Sequence, residues 1–190
     1  MEHVPHVVHA EMSSLALIGN NTALFDRRYG GEIDSHDVVA RINRAAILFT
    51  RFFEYVSHGS KTDMWFMWRH KEYENVRFDK PRFQMQMAYW EELDDTSVKL
   101  YPKEAYSKLQ NDLGAVPSTG LMVLDFLDAI PELDHISVYG FDWKATPTFT
   151  DPTRATDQML NGSGALHDFH KEKVYCHDRF ISDSKFQFRF

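Results

Sequence analysis

Short, almost wholly apolar runs recur along this 190-residue chain, and each stops at a polar residue or a turn former. Residues 14–19 (SLALIG) lead into Asn20-Asn21-Thr22, 37–42 (DVVARI) into Asn43-Arg44, and 135–141 (HISVYGF) into Asp142. Runs of this length are what strands buried on both faces require. Residues 62–68 (TDMWFMW) read as a further strand, 82–89 (RFQMQMAY) alternate as a half-buried strand does, and 97–101 predict a short fifth. Helical stretches lie at 102–111, ending at Gly114, at 118–130, with Ser118 as N-cap and Pro131 as stop, and at 166–182. Strands separated by helices predict an α/β sandwich around a largely parallel sheet, in which ligands bind beyond the carboxyl ends of the strands.

The length suits one domain over residues 1–190, large enough to fold without a disulfide or metal staple. A net charge of -7 offers no basic field for phosphate backbones, which argues against a nucleic-acid binder. No apolar run approaches the roughly 20 residues that span a bilayer. The lone Cys176 excludes an intrachain disulfide and suits a reducing compartment. These features, with the absence of a leader-like start, predict a cytoplasmic protein.

Three polar clusters fall at strand or helix ends. Gly19 permits close approach of backbone to a ligand, while Asn20, Asn21 and Asn43 offer donor and acceptor groups. Taken singly each is better read as a turn or cap. Ser118 opens a helix whose free N–H groups and positive end suit an anion. Asp34, Ser35, His36 and Asp37 read as a loop bonding its own backbone. Trp65 and Trp68 are better read as core than as sugar-binding rings. His167, His170 and His177 fall on one predicted helix. An i, i+3 histidine pair without a placed carboxylate does not make a metal site, so none is expected. Residues 143–164, rich in Thr, Pro, Gly and Asp, read as a long loop.

The stretch LALIGNNTALFDRRYGGEIDSHDVVARINRA, residues 15–45, resembles the large sialylmotif of the eukaryotic-type sialyltransferases, glycosyltransferase family 29. Gly59-Ser60-Lys61-Thr62 resembles its continuation. Residues 117–141, from Pro-Ser-Thr-Gly to Val-Tyr-Gly-Phe, are similar to the small sialylmotif, and His167 to Glu172 has the His-x4-Glu form of the very small motif. The three stand in the family's order, whereas 69–116 match nothing in it. The resemblance implies a single Rossmann-like, three-layer α/β domain of GT-A-like type. It implies a CMP-sugar donor, CMP-sialic acid or CMP-Kdo, and a glycan acceptor, with no cofactor and no metal in catalysis. Asn20 and Asn43 would hold the nucleotide, with Gly19 and Asn21 beside them. Ser118, Thr119 and Gly120 would contact it at a helix start, and His167 would be the general base of an inverting transfer.

Two departures matter. Where the family's third motif carries a histidine that contacts the donor phosphate, this chain has Thr148 in Thr-Phe-Thr-Asp, so that Lys144 or Arg154 would have to supply the charge. This keeps open a second reading, a CMP-binding module without transfer activity, although a mere binder has no use for His167. Leu15 replaces the family's cysteine before Gly-Asn, and the family's anchor and stem find no counterpart, which again predicts a cytoplasmic protein.

Overall fold

The computed structural model describes residues 13–46, 52–75, 81, 83–143, 145–146 and 167–189. Seven strands form one sheet: β1 (Ser14–Ile18), β2 (Val38–Ile42), β3 (Met64–Met67), β4 (Phe83–Gln86), β5 (Lys99–Leu100), β6 (His135–Tyr139) and β7 (Phe186–Arg189). Their order is β5-β4-β3-β2-β1-β6-β7, and every pairing is parallel. The helices are α1 (Gly30–Asp34), α2 (Phe52–His58), α3 (Lys103–Leu113), α4 (Thr119–Asp128) and α5 (Phe169–Cys176).

Alternation along β1 shows why the runs are almost wholly apolar. Leu15 and Leu17 enter a large core with Met122, Leu124 and Leu127 of α4. Ala16 and Ile18 enter a smaller one on the opposite face with Ile33 of α1. Helices therefore cover both faces of the sheet, as the sequence predicts. Each fully buried Leu, Ile or Phe contributes about 1.5–3 kcal/mol against exposure.

Four expectations need correction. β4 is not half-buried: Gln84 and Gln86 are 8% and 1% exposed, so its polar positions are buried along with the apolar ones. Gln86 compensates with its amide, accepting from the N–H of His70 at 2.6 Å and donating to the carbonyl of Tyr89 at 2.7 Å. The segment at 30–34 is helical, because Gly30 lets α1 lie against α2; a Cβ there would stand 1.8 Å from the carbonyl oxygen of Tyr55. Asp168 caps α5 by accepting from the N–H of Lys171, so the helix starts after His167 and does not carry it. α5 then passes into a π turn at His177–Ile181, and β7 follows as an edge strand beside β6.

The polar residues at 34–37 also reach further than their own backbone. Asp34 accepts from the N–H and hydroxyl of Ser60 and from the N–H of Lys61. Asp37 accepts from Ser13 and Ser14. Nearby Arg41, 1% exposed, donates to the carbonyls of His58 and Lys61 and to the Thr62 hydroxyl. Burial pulls its guanidinium down to about 10 against the opposing charges of Asp34 and Asp63. These bonds fix the path into β3.

Candidate active site

A cavity opens at the carboxyl ends of β1, β2 and β6, where α4 begins. It brings together Gly19, Asn20, Asn21, Asn43, Ser118, Thr119, Gly120 and His167, and adds Glu172 and Cys176 from α5. Thr148, Lys144 and Arg154 lie outside the described residues.

Phe141 closes β1 against α4. An added Cβ on Gly19 would stand 2.8 Å from its ring, and one on Gly120 also 2.8 Å. Both glycines are therefore needed for the two backbones to meet around that ring, and this contact places Asn20 opposite the first turn of α4. The Oδ1 of Asn20 is buried and accepts no hydrogen bond among the described residues. A buried acceptor without a donor costs roughly 1–3 kcal/mol, and a ligand hydroxyl or amino group would remove that cost.

Asn21 is used locally. Its Oδ1 accepts from the N–H of Ala23 at 2.6 Å, capping the 3-10 turn Thr22–Asp26, and from the hydroxyl of Thr146. Asn43 sits in the left-handed region at φ 47. Its backbone carbonyl accepts from the indole N–H of Trp65 and its Oδ1 from the N–H of Trp68, each at 2.8 Å. With Oδ1 committed, the NH2 is what the Asn43 side chain can offer a ligand, and it recognises acceptors.

Ser118 caps α4, its hydroxyl accepting from the N–H of Leu121. The carboxylate of Glu172, 2% exposed, takes the Ser118 N–H at 2.6 Å and its hydroxyl at 2.7 Å. One negative charge of the protein thus already lies at this helix start. The N–H groups of Thr119 and Gly120 have no acceptor within the helix and point the same way.

His167 stands immediately before α5. Its Nδ1 lies 3.0 Å from the carbonyl oxygen of Val116. A carbonyl only accepts, so Nδ1 carries the hydrogen and the ring's lone pair is at Nε2. The edge of Trp68 packs against the imidazole, with centroids 6.0 Å apart. Of the two tryptophans read as core, Trp65 is fully buried, but Trp68 is only partly so and borders the site. Cys176 is 1% exposed, and burial pushes its thiol up to about 12, so it stays protonated.

Comparison with known proteins bears on the family and the fold. Residues 2–96 match the family model described as glycosyltransferase family 29 (sialyltransferase). Among solved structures, a mammalian sialyltransferase in complex with Gal-beta-1-3GalNAc-ortho-nitrophenol is similar at a TM-score of 0.63 and 20% identity, over 93% of this chain and 69% of that one. A second crystal structure of a mammalian sialyltransferase gives the same TM-score, identity and coverage of this chain, over 68% of its own. No curated protein sequence matches. At such identity the likeness is one of fold.

Proposed function

The chain belongs to glycosyltransferase family 29, the sialyltransferases, and on that premise we propose that it transfers sialic acid or a related keto-acid sugar such as Kdo from a CMP donor to a glycan hydroxyl, with inversion. The observation that carries this reading is the meeting, in one cavity, of the unsatisfied Asn20 Oδ1, the Asn43 amide, the first turn of α4 and the imidazole of His167. Asn20 suits a ribose hydroxyl or cytosine amino group. Asn43 and the N–H groups of Thr119 and Gly120 suit the phosphate.

His167 Nε2 takes the proton of the acceptor hydroxyl as that oxygen bonds the anomeric carbon. The bond from that carbon to the phosphate oxygen breaks, through an oxocarbenium-like state, and CMP leaves with the electron pair. Its phosphate is already an anion and needs charge stabilisation more than a proton; the N–H groups of Thr119 and Gly120 supply part of it.

The fixed tautomer of His167 supports the enzyme reading, since it directs at Nε2 the lone pair that a general base uses. The test is CMP release from CMP-sialic acid and from CMP-Kdo, with and without glycans. The disaccharide bound by the mammalian enzyme of like fold is the first acceptor to try. Acceptor-dependent release supports transfer; nucleotide binding without release in any mixture overturns it in favour of the module.

A further inference from the structure

Beyond the donor cavity, two loops leave the carboxyl ends of β3 and β4 side by side. The first carries Trp68 and Arg69, the second Tyr89. Trp68 and Tyr89 meet at 86° with centroids 5.7 Å apart, so their rings form a corner, and Trp68 also touches the imidazole of His167. The guanidinium of Arg69 lies over the Tyr89 ring at 4.8 Å.

Tyr89 has no need to be where it is for the sake of the core. It is 40% exposed, and its backbone is held left-handed at φ 57, ψ 49. For a bulky residue this is a costly conformation, sustained only where the surroundings enforce it. The enforcing group is Gln86, whose buried amide joins the N–H of His70 to the carbonyl of Tyr89. One side chain thus locks both loops and sets the corner in place before any ligand arrives.

We infer that the corner of Trp68 and Tyr89 is the wall on which the acceptor's reacting pyranose stacks, with Gln86 as its positioning residue. The inference rests on the proposed transferase function and adds to it the residues that select the acceptor. Sugar C–H groups, polarised by their neighbouring oxygens, meet the negative face of an aromatic ring favourably. A pyranose lying in this corner presents its hydroxyls away from the rings, and the adjoining His167 is placed to accept a proton from one of them.

The test is saturation-transfer NMR of methyl β-D-galactopyranoside and methyl β-D-glucopyranoside on the intact protein, with and without CMP. Saturation of the ring C–H protons is expected for at least one of the two. Tyr89→Gly removes the ring at a backbone conformation that glycine adopts freely, so it folds where other replacements strain. It should weaken pyranoside binding at least fivefold and leave CMP affinity, read by calorimetry, unchanged; Tyr89→Phe should restore it. Parent-like pyranoside binding by Tyr89→Gly, or no pyranoside binding by the parent in either condition, overturns the inference. Failure of the parent to bind CMP instead overturns the donor reading, and the pyranoside arm without nucleotide still decides this one.

Discussion

Glu172 holds Ser118 by both its N–H and its hydroxyl, at 2.6 and 2.7 Å. The residue that opens α4 and the helix that follows His167 are thereby one mechanical unit across 54 positions of sequence. Truncating the carboxylate leaves two half-buried donors without that acceptor. Glu172→Ala should therefore lose about 1–3 kcal/mol for each orphaned group. At roughly 2–4 °C per kcal/mol for a chain of this size, its melting temperature should fall by several degrees. Glu172→Gln, which keeps one acceptor oxygen, should lose about half as much. Equal melting of Glu172→Ala and the parent would show that the pair carries no stability.

His167→Ala should keep CMP affinity and lose about 10²–10⁴ in transfer rate, the usual contribution of a general base. The bond from Nδ1 to the carbonyl of Val116 directs Nε2. Calorimetry and initial rates, measured on a variant whose melt matches the parent's, check this. A parental rate would show that the very small motif has been misread.

At Asn43 the backbone and the side chain can be separated. The φ of 47 suits Asn and Gly far better than Ala. Asn43→Ala should melt below Asn43→Gly by roughly 1 kcal/mol of stability. Both lose the amide and should bind CMP more weakly by about 1–3 kcal/mol. Unchanged CMP affinity in the two variants would remove Asn43 from the donor site.

CMP should bind with EDTA present, because no Asp-x-Asp element follows a strand to hold a metal–phosphate bridge. Binding that emerges in calorimetry only on adding magnesium or manganese would refute this.

The phenol of Tyr73, 4% exposed and edge-on to Trp65, is pushed up to about 12, chiefly by burial and then by Glu72. Tyr101 and Tyr139 are raised as well, again by burial first. A raised acid keeps its proton in the folded state while the unfolded chain loses it near 10. The stability it gives is thus whole below pH 10 and declines between pH 10 and 12. Absorbance at the tyrosinate band should show a late fraction that titrates together with unfolding. Ordinary titration of all tyrosines in the folded protein would contradict the burial.

Much of this geometry is legible because a parallel sheet covered on both faces imposes a simple code. β1, β2, β3 and β6 are almost wholly apolar runs, and Asn20 and Asn43 stand where two of them stop. Ser118 announces its helix by its own chemistry. What sequence hides are features decided by a distant partner. Gln86 looks like the outward side of an alternating strand until the two loops it bonds are in view. Asp34 looks like loop until Gly30 is seen to let α1, which ends there, lie against α2. His167 looks helical because its apolar neighbours continue the pattern, but Asp168 intercepts the first-turn N–H and starts the helix later. Trp68 has the composition of core, and only the sheet order shows that it ends a strand beside the site.

The sheet order also governs how the chain is made. β1 precedes both of its neighbours in the chain, and it lies between β2 and β6. One edge can be satisfied early, by pairing Leu15 with Val38, but the other waits for His135 and the residues after it. Between the synthesis of β2 and that of β6, β1 thus presents an open, apolar edge, the kind of surface that recruits the wrong partner. Such long-range closure also makes for slow folding once the chain is released. A nascent chain of this protein is an expected client of whatever shields unpaired strands at the ribosome, and slowing synthesis between β2 and β6 lengthens that dependence.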